Sequence, residues 1–281
     1  MSEMKKTARS VAFEVAFYVL VILIIAAMLF PLIWTFETSL KSKASILSRT
    51  PEWWGFRIEN NYYEPFMKEG YMKPLLNSVL TAIGCVILTV PLAFMAAYAF
   101  SRFKIFGAPT MYFWSLTCRM GPEAAFIIPY YLMINKLGLY DTTFSLILIY
   151  SLFNLPLAIW LVKSGIDGIP KAIDEAALVD GVGISQLLRH VILPVAAPSI
   201  AAASILVFIF SWNKYLFASV LTALRSRTIT VGLLQFVTTV GIRYGNMAAV
   251  SIVALLPTLI TVVILQKYII AGLTLGAVTS E

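Results

Sequence analysis

The sequence is poor in the residues that do most catalytic and metal chemistry. It has one histidine, His190, and two cysteines, Cys85 and Cys118. A metal centre built on several histidines is therefore excluded. The two cysteines each sit inside an apolar run and read as small buried side chains, not as a disulfide or metal framework. No Gly-Lys dipeptide occurs in the 281 residues, so there is no phosphate-binding loop. If ATP drives the process, another chain binds it. No nucleophile–base motif stands out either, which argues against an enzyme.

Charge is also scarce. Charged residues make up 12% of the chain, against roughly a quarter in soluble domains. The formal charge of +7 does not indicate nucleic acid, because no soluble segment clusters basic residues with interleaved aromatics. What is abundant is apolar sequence: 60% hydrophobic residues and a mean hydropathy of +0.87. The apolar runs are long and continuous rather than alternating. Each is long enough to span, since about 20 residues cross a hydrocarbon core, and with backbone groups that must pair internally the runs read as helices.

The pattern predicts an all-α, polytopic membrane bundle of six transmembrane helices. The first span runs from Val11 to about Phe36, the second from about Asn77 to Phe100, the third from near Pro109 to near Ile134. The fourth covers about Phe144 to Val162, the fifth about Val195 to Leu221, the sixth about Met247 to Ile270. Residues 1–72 form a first organisational segment, a helix followed by a polar, aromatic-rich stretch. Residues 73–281 form the core, with a polar elbow over 164–194. Lys and Arg are shared evenly between the two sides, so the positive-inside rule does not orient the bundle. Seven prolines, at 31, 91, 122, 129, 156, 198 and 257, fall inside spans, where neighbours or cavities can satisfy the freed backbone groups.

The elbow is short and polar between two apolar runs. Pro170 suits the first position of a helix, and Ile173, Ala176 and Ala177 share a face. Asp180-Gly181 stops that helix, glycine supplying the left-handed cap. Ser185 is placed to cap a second short helix that Pro194 ends.

Within the spans, Arg119 lies near mid-depth of the third, where an isolated charge is costly. Glu123, four residues on, is positioned to pair with it along the helix. Asn154 and Asn213 are expected to hydrogen-bond between helices. Trp212 and Lys214 are expected nearer the outer interface, Trp as anchor and Lys snorkelling or pairing with a partner's acid. The polar connection Thr222–Gly245 holds Gln235, Arg243 and Tyr244, a mixture suited to a protein surface or sugar hydroxyls. On the residues alone, two transport mechanisms stay open: a permease using a partner's ATP cycle, and an ion-gradient-driven secondary transporter. Paired repeats with broken helices are common in the second kind, and no internal sequence repeat is visible.

Glu175-Ala176-Ala177, Asp180-Gly181 and Ile192-Leu193-Pro194 stand in the register of the EAA coupling loop of ABC import permeases. From about Asn77 onward the chain resembles the smaller, maltose-type permease subunit of carbohydrate ABC importers. The likeness includes Ala97-Tyr98-Ala99-Phe100-Ser101-Arg102-Phe103, Arg119-Met120-Gly121-Pro122, Leu137-Gly138-Leu139-Tyr140-Asp141-Thr142, Asn154-Leu155-Pro156 and Trp212-Asn213. The resemblance implies a type I (MetI-like) architecture in a bacterial or archaeal inner membrane, with elbow and both termini cytoplasmic. It implies a second homologous permease subunit, two ATPase subunits that bind ATP and Mg, and an extracytoplasmic sugar-binding protein. It also implies that Glu175, Ala176, Ala177, Asp180, Gly181 and Pro194 couple to the ATPase. Arg119, Glu123, Asn154, Trp212, Asn213 and Lys214 are candidates for the translocation path, and Gln235, Arg243 and Tyr244 for binding-protein contact. Lys214 stands where relatives usually carry an acid, which suggests an acidic or sulfonated sugar as cargo.

Overall fold

A computed structural model describes residues 8–50, 52, 61–119, 121–239 and 241–275. Trp53, Trp54, Arg57 and Met120, and the tail from Gly276 to Glu281, lie outside the described residues. The chain divides into two compact units, one of residues 1–69 with 236–253, the other of 70–235 with 254–281.

In the first unit, α1 (Ala8–Leu40) is apolar around its whole circumference. The most apolar window of its 28-residue Phe13–Leu40 stretch is left unburied by the described residues. At 1.5 Å per residue the stretch is about 42 Å of helix, more than a hydrocarbon core of roughly 30 Å requires. The end of α1 is tied down by polar contacts. Asn61 donates its amide N–H groups to the carbonyls of Ser39 and Lys41, at 3.0 and 2.9 Å, satisfying groups a helix terminus leaves open. Lys41 pairs with Glu37 at 2.8 Å. A short helix α2 (Lys43–Ile46) and a π turn (Glu64–Lys68) follow. Strands β1 (Val237–Thr238) and β2 (Gly241–Ile242) form a two-residue antiparallel ladder. Arg243 reaches Glu64 at 2.8 Å and Glu69 at 2.7 Å.

The second unit is built on α3 (Met72–Arg102) packed along α6 (Thr143–Asp167), with α10 (Ala197–Trp212) against both. Small residues line these crossings: Ala93 and Ala97 from α3, Ala158 from α6, Ala203 from α10 are all fully buried. Without a hydrophobic drive between helices in lipid, close backbone approach is what holds such a bundle together. Tyr150 and Phe217 are the largest side chains fully buried in this unit.

Two expected spans are not continuous. The third divides into α4 (Ala108–Arg119) and α5 (Ile127–Lys136), joined by a 3₁₀ turn Glu123–Phe126. Pro122 takes an extended backbone, φ −63° and ψ 118°; it has no N–H and disfavours helix in the residue before it. The fifth follows a 79° bend between the segment Ile184–Val195 and α10, and it breaks between Trp212 and α11 (Leu216–Leu221). No proline or glycine causes this second break; the freed Lys214 carbonyl accepts from Thr230 Oγ at 3.1 Å. After the short helix α12 (Ile229–Leu233), a last helix, α13 (Tyr244–Leu275), contains the sixth span. Among the described residues, four helices are long and apolar enough to cross a membrane, or five counting the bent pair. This is consistent with the six expected spans, the third being divided into two half-helices.

Candidate functional site

The elbow is assembled from α7 (Lys171–Val179), α8 (Ile184–Leu187), a π turn Leu188–Ile192 and the single turn α9 (Leu193–Val195). Pro170 is the N-cap of α7, one position earlier than its sequence suggested. Gly181 has φ +79°. Its N–H donates to Leu178 O at 3.1 Å and the Val182 N–H to Ala177 O at 3.0 Å, the paired bonds of a Schellman cap. Ser185 does not cap the second helix. Gly183 is its N-cap with no side-chain bond, because Ser185 already lies within the first turn. Pro194 does not end that helix either. It sits in α9, and the chain turns at Ala196.

One face of the elbow is fastened to the bundle. Asp174, on α7, is 6% exposed. Its carboxylate accepts from Arg102 Nε at 2.9 Å and Tyr98 Oη at 3.1 Å, both from α3. The Arg102 guanidinium also donates to the Ile169 carbonyl at 3.0 Å, so it grips both the elbow helix and its entry. Ser101 and Lys163 both bond Asp167 at the end of α6. Ile169, Leu187 and Ile192 are buried, with Ala177, Val182, Leu188 and Val191 packed on the core.

The other face is bare. Glu175, Ala176, Asp180, Gly181 and Pro194 are exposed, beside Leu178 at 51% and Val179 at 86% exposure.

The helices entering and leaving the elbow touch closely. A Cβ added at Gly165 on α6 falls 2.5 Å from Ser199 Cβ on α10, closer than side chains tolerate. The elbow thus hangs from two helices that cross at a glycine.

The candidate path residues regroup. Glu123 does not pair with Arg119. The break at Gly121-Pro122 removes the continuous helix that would have stacked them, and Glu123 pairs with Lys214 instead. Lys214 neither snorkels outward nor needs a partner chain; its Nζ also lies 5.1 Å over the Phe153 ring. The two breaks are therefore joined by one ion pair. Arg119 stacks its guanidinium 4.9 Å from the Phe210 ring centroid. Asn154 is buried and donates to Ser211 Oγ at 3.1 Å, the expected interhelical bond. Asn213 is exposed and returns to its own helix, Nδ2 donating to Ile209 O, because it caps α10. Trp212 is not an interface anchor: it is 4% exposed and its Nε1–H donates to Ala254 O at 3.1 Å.

Of the candidate binding-protein contacts, Gln235 and Tyr244 are exposed, whereas Arg243 is half-buried and engaged by its two glutamates. The sequence reading missed Asp174, Arg102 and Asp141 as anchors. Asp141, at φ +54°, accepts from the N–H groups of Ala223, Ser226 and Arg225 and from Ser226 Oγ, at 2.8–3.1 Å. Burial pushes its carboxyl up, but these bonds outweigh that and hold it down at about 2. Asn77 binds the same segment, donating to the carbonyls of Arg225 and Arg227 at 3.0 Å. The available signal was that Asn77, Arg102 and Asp141 all fall in stretches bearing the family likeness.

Long apolar helices, broken spans joined by a half-buried ion pair, and a polar elbow latched to the bundle define a membrane permease. The chain belongs to the family described as binding-protein-dependent transport system inner membrane component, whose model matches residues 70–274. It is 35% identical over 261 residues to the trehalose transport system permease protein SugB of Mycobacterium tuberculosis, covering 91% of this chain and 94% of that one. It is 33% identical over 257 residues to the trehalose/maltose transport system permease protein MalG of Thermococcus litoralis, covering 90% and 92%. In fold it is similar to a chain of a bacterial ABC transporter involved in the import of the acidic polysaccharide alginate, with a TM-score of 0.77 at 22% identity, covering 93% and 98%. Membership in this family sets aside the ion-gradient-driven alternative.

Proposed function

We propose that this chain is a non-catalytic permease subunit of an ATP-driven importer for a sugar or sugar derivative. It forms half of a translocation path completed by a second, homologous permease. Two separate ATPase subunits bind ATP and Mg and dock on the elbow, and an extracytoplasmic binding protein delivers the sugar. The elbow and both termini face the cytoplasm of a bacterial or archaeal cell, and Gln235 faces the binding protein. Residues 73–281 are the working core. The names of the curated relatives support the sugar. The observation that carries the coupling role is the two-faced elbow: Asp174, Arg102 and Tyr98 fasten one side, while Glu175, Leu178, Val179 and Asp180 stand open on the other.

The test is substrate-stimulated ATP hydrolysis by the reconstituted complex. Val179→Asp or Glu175→Lys should cut stimulation about tenfold or more, the loss of roughly 1.4 kcal/mol or more of docking, while the permease still assembles in membranes. Wild-type stimulation in both variants would remove the elbow from the coupling path.

A further inference from the structure

Beside the break in the third span lies a cleft of about 440 Å³, within the roughly 300–1,000 Å³ range of small-molecule sites. Its walls include Trp114, Thr117, Arg119, Phe126, Tyr130 and Phe153. Four aromatic rings offer flat apolar platforms of the kind that pack against the C–H face of a pyranose. The polar groups among these six are the Arg119 guanidinium, the hydroxyls of Thr117 and Tyr130 and the Trp114 indole N–H.

The charges around the cleft do not balance. Lys214 and Glu123 neutralise each other. Among the described residues, no carboxylate lies within ion-pair distance of Arg119; its guanidinium rests on the face of Phe210. The cluster therefore keeps one surplus positive charge. A charged side chain at membrane depth costs about 2.5–3.5 kcal/mol on insertion scales, and such residues mark substrate pathways when they face a cavity. A planar guanidinium with free N–H groups matches the paired oxygens of a carboxylate or sulfonate.

Building on the sugar-import reading, we infer that this cleft is a cargo subsite of this chain, taking an anionic sugar with its acidic group on Arg119 and its ring against the aromatic wall. The surplus charge is Arg119 rather than Lys214, which corrects the sequence-based basis for an acidic cargo while keeping its sign.

The experiment is uptake into proteoliposomes holding the full importer with its binding protein. The probes are digalacturonate and a sulfonated glucose as anionic cargo, and maltose and trehalose as neutral cargo. Wild type should take up at least one anionic probe. Arg119→Gln should lower that uptake tenfold or more and change any neutral uptake less than twofold. Arg119→Lys, which keeps the charge without the fork, should fall between. Which anionic probe is taken up separates carboxylate from sulfonate. Neutral uptake alone by the wild type overturns the subsite and leaves sugar import standing. Equal losses of neutral and anionic uptake in Arg119→Gln, as expected if the guanidinium pairs with the second permease, also overturn it. Uptake of no sugar of either kind overturns both readings.

Discussion

Asp174 and Arg102 form a pair buried to 9% and 8% side-chain exposure. Breaking a buried pair by removing one partner typically costs about 3–5 kcal/mol, because the remaining charge is left uncompensated. Asp174→Asn should therefore lower the unfolding temperature of the detergent-solubilised chain, and Asp174→Asn with Arg102→Gln should lower it less. Thermal melts of the two variants side by side check the order. Asp141 gives a prediction of opposite visibility. Its folded pKa is depressed from an ordinary value of 3.8 to about 2. The stabilisation it brings is fully present above the ordinary value and is lost as pH falls through the folded one. Hydrogen exchange over residues 222–228 should stay flat from pH 8 to 5 apart from the intrinsic rate, with opening setting in only below about pH 4. In Asp141→Asn the same segment should already be open at neutral pH, since an amide cannot accept as many bonds.

At the scale of the element, the elbow works only if it is stiff and correctly angled. Gly181 at φ +79° sets the angle between α7 and α8. Any side chain there costs on the order of 1 kcal/mol, and proline, fixed near φ −65°, cannot take that conformation at all. Gly181→Pro should leave basal ATP hydrolysis of the complex intact and abolish its stimulation by substrate, whereas Gly181→Asn, tolerant of the left-handed region, should keep most of it. Gly165 is a separate check on the same element. There φ is ordinary and space is the issue, so Gly165→Val should force α6 from α10 near Ser199. Cysteine pairs flanking that crossing should then crosslink less readily than in the parent chain.

At the scale of the whole molecule, the absence of a Gly-Lys dipeptide predicts that the purified chain alone gives no saturable ATP isotherm in calorimetry; a clear one would overturn the division of labour proposed above. The helical class, the position of the elbow and the left-handed glycine cap were legible in the sequence. Each depends on local rules: span length, proline and glycine geometry, and the chain's demand for internally paired backbone groups in lipid. What only the tertiary structure decided is which charge meets which. Arg119 and Glu123 sit four residues apart, yet the break at Pro122 turns Glu123 towards Lys214, 91 residues on. Asp174 looked like one acid among several on a polar loop until α3 brought Arg102 and Tyr98 to it from more than 70 residues away. Trp212 and Asn213 are adjacent, but one turns inward to Ala254 and the other caps its own helix. Pairing of buried polar groups follows the cost of leaving any of them unsatisfied in the assembled bundle, and that cost is set by neighbours distant in sequence.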